Sequence, residues 1–517
     1  MNLRLLFIAT GLAPLLTLGG HADVRLPVIF GDHMVLQQGV PLPVWGTADA
    51  GEKVTVSIAG KQATATTDKN GRWMLKLDSL PATGTPVQME VAGKNKLTIS
   101  DVLVGEVWVC SGQSNMVLGQ RNIVSAEVGN RRRIRFFKTP LNSSMQPQDD
   151  TKGSWMVCTP ENAAALFPSA TGYYFAVDLE KARNAPVGMI QSAWSGTAIE
   201  PWIDITAFER SDSYRKTAEK LRNTNPAPAQ PEAPPATEAG AEGDRKPQNK
   251  EAGRFSRTPT GIFNAMINPH VPYAIKGVLW YQGEANAQTE KRSEEYATLL
   301  PLLISSWRNA WRQGDFPFLY VQLPAFTTDR AWPRLRNSQL KTLAVPNTGM
   351  AVALDLNPTD NLHPPHKEAV GQRLALLARK IAYGEKIVAS GPLYKAHRIE
   401  GGKVRIAFTE TGGGLTAGEP PPLYRRATAT AGRNGKLLGF EISGENGAFA
   451  PANAEIDGDT VVVWSETVAR PVHVAYAWAA YPGANLYNKE GLPASPFRTD
   501  DLPKYSKPQA LGSLQDP

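Results

Sequence analysis

The most reactive-looking pattern in the chain is a serine at the end of an apolar run. Val104–Cys110 leads directly into Ser111-Gly112-Gln113-Ser114-Asn115-Met116. A turn built from Ser and Gly at the carboxyl end of a strand exposes the side chain at its apex, so Ser114 can act as a nucleophile there. The plainer role for such a serine is to cap a helix. A nucleophilic serine needs a base, and the base needs an orienting group. The chain has 7 histidines, one of them in the first 22 residues. His363 has the best setting, because Asp360-Asn361-Leu362-His363 follows the apolar run Met350–Leu354 and precedes a Pro-Pro helix start. A carboxylate three residues ahead can fold back onto imidazole Nδ1, which leaves Nε2 for the serine. His366 is the rival, on the first helical turn.

An acyl-transfer site also needs donors for a developing oxyanion. Trp194-Ser195-Gly196-Thr197 offers backbone N–H groups around a glycine, and Trp280-Tyr281-Gln282-Gly283-Glu284-Ala285-Asn286 offers side-chain amides. The competing chemistry is glycoside hydrolysis by paired carboxylates, for which Glu106 and Glu284 are the candidates. A binding protein without catalysis would explain the aromatic residues, but not why Ser114, Asp360 and His363 all fall at strand ends. No clustered Cys/His spacing points to a metal site.

The elements that must position these groups can be read from hydrophobic pattern. Val104–Cys110, Val187–Trp194, Gly277–Gln282, Phe316–Leu323 and Met350–Leu354 are apolar runs separated by segments long enough for helices. Such alternation predicts an α/β fold with a doubly wound parallel sheet. After Pro365, the residues Val370, Leu374, Leu377 and Ile381 make one helical stripe, with Lys367, Arg373, Arg379 and Lys380 elsewhere around the helix. Before and after this region, short alternating strands with turn clusters predict β-sandwich-like flanks. The expected division is a leader over 1–22, a β-rich domain over 23–100, the catalytic α/β domain over 101–389 and a second β-rich domain over 390–517. Within the catalytic part, Asn223–Gly253 holds six prolines and no Val, Ile, Leu, Met, Phe, Tyr, Trp or Cys. It is expected to be a disordered insertion.

Composition narrows the function class. With 42% hydrophobic and 20% charged residues among 517, the chain is an ordinary globular protein. Its net charge of +7 is dispersed, and the longest basic run, Arg131-Arg132-Arg133, reads as a solvated turn. No nucleic-acid partner is expected. The first 22 residues combine Arg4, an apolar stretch from Leu5 to Leu18 and a small-residue end at Gly20-His21-Ala22. That is the form of a cleavable secretory signal, too short to span a bilayer, and it predicts a periplasmic or secreted protein cleaved near 22/23. Cys110 and Cys158 are the two cysteines, both in apolar contexts that fit buried thiols better than a disulfide.

Taken together, GEVWVCSGQSNM (105–116), WSGTAIEPW (194–202), GVLWYQGEANA (277–287) and DNLHP (360–364) resemble the sialate O-acetylesterase family of SGNH-type hydrolases. The similarity extends to GFEISG (439–444) and GLPASPFRTD (491–500), so it covers nearly all of the chain beyond the leader. The resemblance implies an SGNH-hydrolase-like sheet and a carbohydrate O-acetylesterase that works through an acetyl-enzyme. It implies Ser114 as nucleophile, His363 as base and Asp360 as its orienter, without metal or organic cofactor. The oxyanion hole would take the N–H groups of Ser114 and Gly196 and a side-chain amide, Gln282 in preference to Asn286. The substrate would be an acetylated sugar or oligosaccharide, either a sialate ester or an acetylated plant polysaccharide such as xylan or xyloglucan. Asn115, Trp194, Glu284, Asn286 and Arg336 are the expected substrate contacts. Trp202, Trp280, Tyr281 and Trp332 are further aromatic faces for sugar rings, and Arg334 is an alternative to Arg336 for a sialate carboxylate.

Overall fold

The structure, a computed structural model, describes residues 23–119, 131–162, 168–224, 252–420, 430–431 and 435–502. The expected leader, residues 1–22, lies outside them, as do residues 225–251 of the apolar-free segment. Up to that gap runs the helix Arg215–Thr224, and after it the Ala252 carbonyl accepts a 2.6 Å hydrogen bond from Ser143 Oγ. Among the described residues no helix is long and apolar enough to cross a membrane.

Seven strands form the central sheet: β1 (Lys96–Gly112), β2 (Arg131–Lys138), β3 (Trp155–Cys158), β4 (Val187–Ala193), β5 (Gly277–Tyr281), β6 (Phe318–Gln322) and β7 (Thr348–Val352). Their spatial order is β7-β6-β5-β1-β4-β2-β3, parallel throughout except for β3. The chain builds one side of β1 and then crosses to the other. The carboxyl end of β1 therefore lies at the switch point, where open α/β sheets bind ligands. From Val102 to Gly112 every residue of β1 is buried, and β4 and β5 are buried along their whole length. This accounts for the uninterrupted apolar runs, since both faces of a parallel sheet are covered.

Alternation along β1 sends Trp108 and Cys110 to one face and Val109 and Ser111 to the other. On the first face Trp108 meets Phe175 of α1 (Ala170–Arg183), ring centroids 5.0 Å apart. Helix α1 packs in turn against α4 (Lys367–Tyr383). On the second face Trp280, in register with Ser111, packs edge-on to Trp202 and to Trp307 of α2 (Glu290–Trp311), and α2 packs against α3 (Trp332–Lys341). Thus the α/β sandwich follows the expected plan.

Two readings change. Arg131-Arg132-Arg133 is not a solvated turn but the start of β2, whose Arg135 is buried against Asp101 through two hydrogen bonds of 3.0 and 3.1 Å. In α4 the stripe is as expected, yet Lys367 and Arg373 also face inward. Arg373 is held by Asp355 at 2.6 and 2.8 Å and by the Val352 carbonyl. Cys110 and Cys158 are free, buried thiols, and burial pushes Cys158 up to about 11.

The flanking regions are made of short antiparallel strands. Residues before β1 include the pair Leu42–Thr47 with Arg72–Leu77, and Lys53–Ile58 between Lys61–Thr66 and Val87–Ala92, the last pairing with β1 itself. After α4 come, among the described residues, the four-stranded sheet of Leu393–Glu400, Lys403–Thr409, Thr460–Trp464 and Asn453–Asp457, a second sheet of four short strands and one of three.

Candidate active site

Each predicted catalytic group follows a parallel strand. Ser114 comes after β1, Gly196 after β4, Gln282 after β5, and Asp360 and His363 after β7. The ladder continues past the strand ends and joins these turns: Trp194 N donates to the Gly112 carbonyl and Gln113 N to the Tyr281 carbonyl, both at 3.0 Å. Gly112, at φ 137°, lies where a Cβ would come within 2.1 Å of the Tyr281 carbonyl oxygen. Only glycine lets β5 run this close to the Ser114 turn.

Ser114 opens the short helix Ser114–Val117. Its N–H is among the first in the helix and has no partner inside it. Across 249 residues of sequence, His363 Nε2 lies 2.9 Å from Ser114 Oγ. The histidine loop is held by asparagines: Asn361 Oδ1 accepts from His363 N at 2.9 Å, and Asn357 Oδ1 accepts from Asn361 N at 3.0 Å. Tyr481, from the C-terminal β-rich region, donates its hydroxyl proton to the Asn357 carbonyl at 3.0 Å. Asp360 is exposed with φ 47°, and its Oδ1 accepts from Thr327 N at 2.6 Å. His366 is buried, with Nδ1 3.0 Å from the Leu356 carbonyl, and burial lowers its pKa.

The Ser195–Gly196 turn is exposed, and a Cβ on Gly196 would meet no atom of the described residues within 4 Å. Its glycine answers to backbone conformation alone, φ 73°. The two amides expected near it are not open to a ligand. Gln282 Nε2 faces three acceptors, Asn286 Oδ1 at 2.8 Å, the Thr197 carbonyl at 3.1 Å and Gln113 Oε1 at 3.2 Å. Gln282 Oε1 accepts from the Tyr296 hydroxyl at 2.8 Å. Asn286 Nδ2 donates to Glu200 Oε2, while its Oδ1 also accepts from Ile199 N. Arg292 neutralises Glu200 at 3.1 Å. Both amides support the Thr197–Glu200 segment from behind.

A carbohydrate acetylesterase from Xanthomonas citri superimposes on this architecture with a TM-score of 0.78, 36% identical and covering 93% of this chain and 100% of that one. The chain belongs to the carbohydrate acetylesterases. The model of a sialic acid-specific acetylesterase domain within the carbohydrate esterases matches residues 255–380. That segment carries Gln282, Glu284, Asp360 and His363. The sialate O-acetylesterases of Rattus norvegicus and Homo sapiens are 29% and 28% identical to this chain over 93% and 92% of its length, and over 95% and 92% of theirs.

Placed in this acetylesterase fold, the expected substrate contacts move inward. Asn115, Glu284, Asn286 and Arg336 are 0–2% exposed and Trp194 is buried as well. Arg336 gives its guanidinium hydrogens to the carbonyls of Leu323, Pro324, Ala479 and Ala480, stitching α3 to the C-terminal region. Arg334 is paired with Glu290 and Glu294. Trp202, Trp280 and Trp332 each bury an indole N–H on a partner, respectively Thr197 Oγ1, the Tyr296 hydroxyl and the Pro324 carbonyl, and Tyr281 is buried too. Glu106 binds the amides of Gln37 and Gln38 deep in β1. At about 3.3 Å per residue it is roughly 20 Å or more along the strand from the Asn115–Glu284 contact, too far for a glycosidase pair.

One charged residue was not foreseen. Lys367 lies under the Ser114 turn and donates from Nζ to Asn115 Oδ1. Its signal was present in the sequence, because Lys367 precedes Val370 by three residues and Leu374 by seven, on the apolar stripe of α4.

Proposed function

We propose that this acetylesterase cleaves O-acetyl groups from sugars through Ser114 and His363, and the observation carrying the reading is the 2.9 Å contact between Ser114 Oγ and His363 Nε2. His363 takes the hydroxyl proton as Ser114 Oγ bonds to the acetyl carbon. The N–H groups of Ser114 and Gly196 are the donors for the oxyanion, with Gln282 and Asn286 as supports of that loop. As the tetrahedral species collapses, the bond to the sugar oxygen breaks and His363 returns the proton to it. Water, deprotonated by the same histidine, then attacks the acetyl-enzyme and releases acetate. Asp360 is assigned as the orienter of His363 on its place in the loop, three residues ahead.

Sialate esters are the substrates in the relatives' names, and they are the first to test. A neutral acetylated polysaccharide, xylan or xyloglucan, is the second reading, favoured by a specific observation. Both arginines expected to meet a sialate carboxylate are occupied, Arg336 by carbonyls and Arg334 by two glutamates. For the same chain we propose export through residues 1–22 to the periplasm or medium, with residues 23–100 and 390–517 as accessory β-rich domains.

Ser114→Ala should lower turnover of p-nitrophenyl acetate by about 10⁴-fold or more. The wild type should show an ascending pH limb that His363→Ala loses along with most of the activity. Full activity in Ser114→Ala would end the serine-esterase reading. Acetate release compared on 9-O-acetyl sialic acid, acetylated xylan and acetylated xyloglucan decides the substrate.

A further inference from the structure

Beneath Ser114 lies a charge pair that the esterase steps leave unused. Lys367 and Glu284 are 3% and 2% exposed, and both reach Asn115, the residue next to Ser114. Lys367 Nζ donates to Asn115 Oδ1. Asn115 Nδ2 donates to Glu284 Oε1 at 2.5 Å and to the Leu362 carbonyl at 3.1 Å. Among the described residues Glu284 Oε2 and the Tyr281 hydroxyl are buried without hydrogen-bond partners, and the ammonium lies 5.2 Å from the centre of the Tyr281 ring. Burial works against both charges, pushing Lys367 down and Glu284 up, while their attraction opposes it. Lys367 is also the first residue of α4, where the helix dipole disfavours a cation, and His366 before it supplies no side-chain cap. Local rules broken together at one place point to a functional constraint.

We propose that Lys367 and Glu284 are positioning residues that fix the orientation of the Asn115 amide and, through it, the distance between Ser114 and His363. A side-chain amide presents an acceptor at one end and a donor at the other, and rotation by half a turn exchanges them. An ammonium can only donate and a carboxylate can only accept. With Lys367 on one side and Glu284 on the other, a single orientation satisfies both, and it aims Nδ2 at the carbonyl of Leu362, the residue before His363. The inverted amide would set oxygen against oxygen at both Glu284 and Leu362. The histidine loop would then withdraw from the nucleophile. A misplacement of about 1 Å at a reacting pair can cost about 10²-fold in rate.

The inference rests on the serine-esterase reading, so its test uses the full-length enzyme with Ser114→Ala beside it. Lys367→Met keeps length and removes the donor. Glu284→Gln keeps shape but can donate or accept, which removes one of the restraints on the amide and leaves Lys367 and the Leu362 carbonyl to hold it, so its effect is the smaller of the two. With p-nitrophenyl acetate, Lys367→Met should lower kcat about 10²-fold and Glu284→Gln about tenfold, with KM within about threefold of wild type in each. A purely structural role would lower Tm and leave kcat of the folded enzyme unchanged, so thermal melts are read alongside. Wild-type kcat in both variants, or a loss confined to KM, overturns the proposal while an inactive Ser114→Ala leaves the esterase reading standing. An active Ser114→Ala removes both. Should Lys367→Met fail to fold, Glu284→Gln decides alone: a reduced kcat at unchanged KM supports the positioning role, and wild-type kcat overturns it.

Discussion

The Gly112 and Gly196 turns stand at the ends of neighbouring parallel strands, both with positive φ, and they are held in different ways. Gly112 is walled in, with the Tyr281 main chain against the position of any Cβ and with Trp194 N and Gln113 N bonded across the strand ends. Gly196 has open space around it and is supported from behind by the Gln282–Asn286–Glu200 network. The Ser114 turn is thus set by close packing of three strands, whereas the Gly196 turn is set by backbone conformation and by polar groups one layer below. Substitutions should separate the two supports.

The largest effect is expected at Gly112. Gly112→Ala forces its Cβ to 2.1 Å from the Tyr281 carbonyl oxygen and 2.7 Å from the carbonyl carbon, both backbone atoms that cannot yield without parting β1 from β5. The loss should exceed about 4 kcal/mol, read as absent soluble protein or a collapsed urea midpoint. A variant that melts within about 3 °C of wild type would show that packing does not set this turn. Gln282→Leu should come next. It strips the side-chain partner from the Thr197 carbonyl, leaves Gln113 Oε1 with Ala285 N alone, and weakens the partners of Asn286 and Tyr296, a cost of roughly 2–3 kcal/mol in urea unfolding. Turnover of the folded fraction should stay within about tenfold of wild type. A fall of about 10²–10³ would return the Gln282 amide to the oxyanion hole and erase the contrast between the turns.

Much of this arrangement was readable beforehand because it is repetitive. Parallel strands buried on both faces leave continuous apolar runs, and the proposed catalytic groups follow them closely in sequence, so four strand ends could be found from Val104–Cys110, Val187–Trp194, Gly277–Gln282 and Met350–Leu354. What the pattern does not encode is which way a polar side chain in such a turn points. Asn115, Glu284 and Asn286 lie within motifs that mark the site, and polarity alone favours placing them on its surface. Their partners are far away in sequence: 247 residues separate Asn115 from Leu362 and 86 separate Asn286 from Glu200. Arg336 was misread for a related reason, since a buried guanidinium is satisfied by carbonyls that carry no side-chain signal. Lys367 is different, being legible from its place on the helical stripe once a cation is allowed on the apolar face.

Gly196→Ala should give the smallest effect and the sharpest test of the oxyanion side. The new methyl meets no atom of the described residues within 4 Å, so the cost is conformational, about 1 kcal/mol for a non-glycine residue held in the left-handed region. A Tm lowered by a few degrees should report it. If the Gly196 N–H serves the oxyanion, relaxation of φ away from 73° also turns that donor aside, and kcat falls by up to the 10²–10³ expected for losing a donor, about, with KM little changed. Asn tolerates the left-handed region better than Ala, so Gly196→Asn should recover most of the loss in kcat if backbone angle is the cause. Turnover that stays at the wild-type level in Gly196→Ala, with Tm lowered as expected, would make Gly196 a turn residue and nothing more. The open side of the site would then owe its chemistry to Ser114 N–H alone.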